Sequence, residues 1–319
     1  MTITTQQVEK IRSDMQDVMG TLPDNSKRCP LDVRIEEESD CGSYVRQLIT
    51  YASEPNCRTP AYLLIPSQAV NGEAKVSGIL ALHPTDLELG HKVVVGMGYK
   101  PNRAYGHELA LRGHVVLAPA YPLMADYWPD LASLHYESGT MKAIWDNMRG
   151  LDLLDSFPFV DHGHYGCIGH SLGGHNAIFT AAFDIRIAAL VCSSGFDSFL
   201  DYMGGDLTGW TQTRYMPRLA KLRPEEVPFD FLQLLSVLAP RHCFISAPVK
   251  DDNFSCESVK NIINSVRQIY ADYNEPLRLH VEYPECDHDF PEVIRNRAYA
   301  FLEEGIREGM IRPTEGQAV

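Results

Sequence analysis

No apolar run in the chain approaches the roughly 18 residues needed to span a bilayer. Its N-terminus also has no basic cluster followed by a long apolar core. These absences predict a soluble, cytoplasmic protein with no membrane partner. Basic residues are few, 28 Lys and Arg against 42 Asp and Glu, and the net charge is -14 at pH 7. With no run of Lys or Arg, the surface repels nucleic acid, so small neutral or cationic ligands are the expected partners. None of the eight cysteines (29, 41, 57, 167, 192, 243, 256 and 286) stands in a Cys-x-x-Cys pair. Cys167, Cys192 and Cys243 lie inside apolar runs, so free buried thiols are expected rather than bridges or a zinc site.

Cofactor signals are equally sparse. Val95-Gly96-Met97-Gly98 has too few glycines for a dinucleotide fingerprint, and His107-Glu108 lacks the second histidine of a zinc-protease helix. His162, His164, His170 and His175 cluster in sequence without the carboxylate or thiolate spacing of a metal site. The expectation is no metal and no cofactor. Nothing in the sequence specifies an oligomeric state.

What is present is an ordinary globular composition, 45% hydrophobic and 22% charged over 319 residues, enough for a sizeable core. Thr4-Thr5-Gln6-Gln7 reads as a capping box ahead of Val8, Ile11, Met15 and Val18 at helical spacing, an N-terminal helical extension within residues 1–30. Three alternating runs follow, at 32–36, 44–51 and 61–65, with a turn at 40–43, and read as an antiparallel meander. From residue 76 the pattern changes to short apolar runs at 76–82, 115–118, 165–168, 188–192, 242–246 and 277–281. Helical segments at 103–112, 141–154, after 171, at 257–273 and at 291–306 separate most of them. That alternation predicts one α/β domain, a mostly parallel doubly wound sheet with antiparallel N-terminal strands. The stretch 196–238 is too long for a connection and reads as a cap-like insertion, in which Phe196, Trp210 and Tyr215 are candidates to line a substrate pocket. The polar tail after Arg312 is expected to fray.

Gly169-His170-Ser171-Leu172-Gly173 follows an apolar run and precedes a helical one, the pattern that holds a serine nucleophile on a strand-to-helix elbow. So sharp a turn strains the serine backbone and requires small neighbours two positions away. A serine hydroxyl also needs a histidine to take its proton and a carboxylate to orient that histidine. In hydrolases built on this elbow the order is serine, acid, histidine, each on a loop after a strand. Asp251 and Asp252 follow the run 242–246 and His288 follows 277–281, so order and placement agree while two acids remain open. Asp287 and Asp289, beside the histidine in sequence, read as turn-forming residues. The oxyanion requires two backbone N–H donors, one of them Leu172 after the nucleophile. In the loop 82–86 Pro84 has no N–H, which leaves Thr85 as the second candidate and Asp86 next.

The set Leu82-His83-Pro84-Thr85, Gly169 to Ala177, Ala239-Pro240-Arg241, Asp251-Asp252-Asn253-Phe254 and Asp287-His288-Asp289-Phe290 resembles the acetyl xylan esterase-like and dienelactone hydrolase-like branch of the α/β-hydrolase superfamily. The resemblance runs from about residue 60 onward. It implies the α/β-hydrolase fold, a triad of Ser171, Asp251 and His288, and cleavage of small or short-acyl carboxylic esters without a cofactor. Dienelactone hydrolases carry cysteine where this chain has Ser171, which points to the esterase side. A peptidase or amidase would use the same machinery, with Asp197, Asp201 and Asp206 holding a substrate amine. A non-catalytic binding protein on the same scaffold is the third reading.

Overall fold

The computed structural model describes residues 2–70, 72 and 75–309, so the tail after Arg312 lies outside the described residues. One nine-stranded sheet organises them, in the order β1-β2-β3-β5-β4-β6-β7-β8-β9. The first three strands, β1 (Arg34–Asp40), β2 (Tyr44–Glu54) and β3 (Cys57–Pro66), are the antiparallel meander read from the sequence. Edge strand β1 is exposed along its whole length, and its Glu-rich sequence discourages pairing with another chain. The remaining strands are parallel to one another: β4 (Gly78–Leu82), β5 (Val115–Pro119), β6 (Tyr165–His170), β7 (Ile187–Ser193), β8 (His242–Ser246) and β9 (Leu279–Glu282). Strands β4 to β8 are buried at every position, as apolar strands covered on both faces must be. The sequence run beginning at Leu277 starts too early, because Pro276–Arg278 forms a 3-10 turn that leaves Leu277 exposed.

Helices cover both faces. One face packs Tyr105 and Leu109 of α3 (Tyr105–Leu111) with Tyr299 and Leu302 of α8 (Glu292–Gly309). The other packs α1 (Thr5–Met19), α4 (Gly139–Asp155), α5 (Leu172–Phe183), α6 (Phe231–Leu238) and α7 (Cys256–Asp272), while α2 (Ser67–Val70) is one turn after β3. Helix α1 starts as its capping box requires: Gln7 N–H donates to Thr4 Oγ1 (3.2 Å) and Thr4 N–H donates to Gln7 Oε1 (2.9 Å). Residues 196–238 join β7 to β8 through a chain of 3-10 turns and α6. The sequence reading had no helix there, although Asp230 and Gln233 form the capping box that starts it. All eight cysteines are free thiols. Among the described residues no helix is long and apolar enough to cross a membrane.

A buried charge cluster ties α4 to the end of β2. Lys142, fully buried, reaches Asp146 (2.5 Å) and Glu54 (3.0 Å), and Lys27 reaches Glu54 as well (3.0 Å). Burial disfavours the ammonium, but the charge of Asp146 and then of Cys57 and Glu54 outweighs it, so the Lys142 pKa lies above the ordinary lysine value. Removing one partner strands the carboxylates in a medium that cannot solvate them. Lys142→Met is expected to cost about 3–5 kcal/mol, read as a lower urea midpoint at unchanged slope. A loss below about 1 kcal/mol would show that the site rehydrates.

Candidate active site

The strand order reverses at β4: β5 lies to one side of it and β6 to the other. Such a switch point is where the loops after two parallel strands diverge and leave a crevice at their carboxyl ends. The pairing of Leu82 with Gly169 sets the loop after β4 beside the turn after β6. That places Thr85 and Ser171, far apart in sequence, on adjacent loops.

Ser171 sits between β6 and α5 with φ 56° and ψ −121°, a conformation disfavoured for a residue with a side chain. Its N–H donates to Ser193 O (2.8 Å), which ties the turn to β7. The flanking glycines are required by close approach. A Cβ on Gly169 would lie 2.1 Å from the Gly173 carbonyl, and one on Gly173 would lie 1.9 Å from Leu82 O. The elbow inferred from the motif is therefore built, with Ser171 half-buried at its tip.

His288, on the loop after β9, bonds Asp251, on the loop after β8, at 2.9 Å to each carboxylate oxygen. The bond is made through Nδ1, which must donate its proton, so Nε2 is left as the basic nitrogen. Asp252, the other acid left open by the sequence, is exposed and makes no bond to His288. Burial alone would raise the Asp251 pKa. The hydrogen bond and charge of His288, with the N–H groups of Asn253 (2.9 Å) and Phe254 (3.1 Å), reverse this and hold the carboxyl below its ordinary value. The His170 ring lies 4.8 Å from that of His288, and burial, then Arg103 and His288, holds His170 far below its ordinary pKa. It therefore adds no positive charge beside the histidine.

The loop holding His288 is anchored by a residue that the sequence did not flag. Arg103, buried ahead of α3, pairs with Asp289 (2.5 Å) and donates to His288 O (3.1 Å). Asp289 also accepts from Asn102 (2.6 Å), so it serves the loop, as its place in the sequence suggested. No periodic or motif signal marks Arg103; only its lining up with a loop nearly 190 residues away does so, at a separation of 186.

On the loop after β4, Tyr121 N–H donates to His83 Nε2 (3.0 Å), which leaves Nδ1 to donate to Pro84 O (2.8 Å). Burial pushes His83 down to about 4, so the neutral ring keeps this arrangement at neutral pH. The N–H of Asp86 is engaged by Met124 Sδ (3.4 Å), whereas the N–H groups of Thr85 and Leu172 have no partner among the described residues. Leu172 opens α5, where the helix dipole favours negative charge.

The three aromatic candidates divide. Phe196 (2% exposed) stacks on Phe231 at 4.7 Å, and Trp210 (4% exposed) packs on His175 at 4.6 Å and Phe254 at 6.2 Å. Trp210 thus packs against α5 and the loop after β8, while Phe196 also borders a narrow cavity that includes Asp251 in its lining. Tyr215 is only half-buried, and its hydroxyl meets Thr85 Oγ1 at 3.0 Å. An open cavity of about 510 Å³ in this region is lined by twelve residues, of which Asp197, Asp201, Asp251, Asp252 and Glu257 carry carboxyl groups. Among the described residues no group of three or more His, Cys, Asp or Glu is arranged to hold a metal.

No family model matches the sequence. The chain is 26% identical over 304 residues, 92% of its length, to YtaP of Bacillus subtilis (strain 168), a protein named provisionally as a hydrolase, 97% of which is covered. Solved structures give a stronger likeness. A glucuronoyl esterase from Solibacter usitatus superposes with TM-score 0.74 at 17% identity, covering 95% of this chain and 92% of that one. A glucuronoyl esterase from Caldicellulosiruptor kristjansonii gives 0.67 at 17%, covering 98% and 88%. Acetyl xylan esterase 1 from a Thermoanaerobacterium species gives 0.60 at 15%, covering 95% of each chain. The chain has the α/β-hydrolase fold, in the form that these glucuronoyl and acetyl xylan esterases share.

Proposed function

We propose that the chain is a cofactor-independent serine carboxylesterase acting on small or short-acyl esters through an acyl-enzyme. Ser171 attacks the ester carbonyl, and His288 Nε2 takes the hydroxyl proton and returns it to the departing alcohol. Asp251 fixes the ring with Nδ1 protonated and balances the imidazolium that forms. The N–H groups of Leu172 and Thr85 receive the oxyanion, and water, activated by the same histidine, then frees the acid and regenerates Ser171. The reading is supported by a strained serine elbow and a carboxylate-oriented histidine in the chain order that this chemistry uses, with the His288 ring 4.8 Å from that of His170, the neighbour of Ser171.

A fluorophosphonate probe is expected to label Ser171, and its absence from a folded protein would end the enzyme reading. Short-chain aryl esters are expected to turn over faster than aminoacyl anilides, and the reverse ranking would make the chain a peptidase. The second oxyanion donor has its own test. Thr85→Pro deletes an N–H and is expected to lower kcat by about 10²–10³-fold, whereas Thr85→Ala keeps it and retains most of the rate. Equal losses in the two variants would assign the effect to the Tyr215 contact instead.

A further inference from the structure

The cavity of about 510 Å³ bounded by Asp251 has a composition that ester hydrolysis does not require. Asp197, Asp201, Asp252 and Glu257 also line it, and its one cation, Lys260, is taken by Glu257 at 3.3 Å. Asp197 differs from a solvated surface carboxylate, the ordinary reading of an acidic cap residue. It is 2% exposed, its Oδ2 accepts from Ser255 N–H (2.9 Å), and its Oδ1 is buried with no hydrogen-bond partner among the described residues. Burial, then the nearby charges of Asp201, Asp230 and Asp251, raises it to about 7, although the Ser255 bond pulls the other way. A buried carboxyl group beside other carboxylates and without a cation partner is drawn to its ionised form when a positive group binds next to it.

We propose that this cavity is a subsite for an organic cation, a primary alkylammonium group seated on Asp197 with Asp201 and Asp252 around it. A metal ion does not suit it. Calcium needs about six to eight oxygens at about 2.3–2.6 Å, and no trio of ligating side chains is so arranged among the described residues. An ammonium group is satisfied by one buried carboxylate and water, and the volume leaves room for its carbon chain against Met203 and Val249. Because Asp251 both lines the cavity and bonds His288, an occupant lies one side chain from the catalytic histidine. The ammonium arrives either on the ester substrate or as a free amine.

The substrate arm rests on the esterase reading and is tested with matched aryl esters of graded chain length, one series ending in ammonium and the other in methyl. The ammonium series is expected to show a KM about tenfold lower at one chain length, a preference that Asp197→Asn abolishes and Asp201→Asn reduces. The free-amine arm is calorimetry of butylammonium chloride with the unmodified protein and with both variants, which needs no turnover. Binding that depends on Asp197, without a preference among esters, identifies a free amine as the occupant. If neither arm responds while methyl-ended esters are hydrolysed, the subsite is overturned and the esterase reading stands. If no ester is hydrolysed but butylammonium binds through Asp197, the esterase reading falls and the subsite stands. Asp201→Asn alters an exposed side chain, so a folding failure of Asp197→Asn leaves the test intact.

Discussion

Ser171→Ala is expected to lower ester turnover by about 10⁶-fold while KM and the melting temperature stay close to those of the parent. The size follows from the loss of the covalent route. Without the hydroxyl there is no nucleophile for His288 to deprotonate, and the remaining rate comes from binding and the oxyanion donors alone. Stability is spared because the residue is half-buried and its backbone bond to Ser193 O survives the change. A rate that merely halves would place the activity at another residue. The strained φ of 56° adds a second readout: alanine tolerates that region no better than serine, whereas Ser171→Gly is expected to stabilise the fold while abolishing turnover.

Asp251→Asn is expected to cost about 10⁴-fold in kcat, and Asp252→Asn is expected to leave kcat unchanged. The two residues are neighbours in sequence, and only Asp251 meets His288 Nδ1, at 2.9 Å to both oxygens. An asparagine there can offer its amide N–H to Nδ1. That bond selects the tautomer with the proton on Nε2, the nitrogen that must be free to act as base. It also removes the charge that balances the imidazolium. Steady-state turnover of a short-chain aryl ester reads both variants, and a larger loss in Asp252→Asn would reverse the assignment. Asp251 also keeps its ionised form below the ordinary carboxylate range, so its protonation does not limit activity in mildly acidic buffer.

Much of this architecture is legible in the sequence. The capping box of α1, the meander, the parallel strands and most helices are local patterns of two- or 3.6-residue periodicity, and the chain follows them to within a few residues. The errors also have local causes. Leu277 looks like a strand residue, but Pro276 sets the turn that precedes β9. Helix α6 gives little sequence signal because its eight residues are too few for a periodic pattern to stand out. Composition does not reveal what an aromatic side chain packs against; the tertiary structure stacks Phe196 on Phe231 and packs Trp210 on His175.

The sequence by itself determined the elbow, since Gly169 and Gly173 are dictated by contacts within a single turn and the adjoining strand, and it determined the order of serine, acid and histidine along the chain. Which of two adjacent aspartates faces the histidine, whether Thr85 or Asp86 keeps a free N–H, that Arg103 anchors the histidine loop, and that Asp197 lies buried at the edge of an acidic cavity were decided only by the tertiary structure. Each depends on which strands are neighbours and on the direction in which a loop turns as it leaves the sheet. Those relations join residues far apart in the chain, and no local periodicity encodes them.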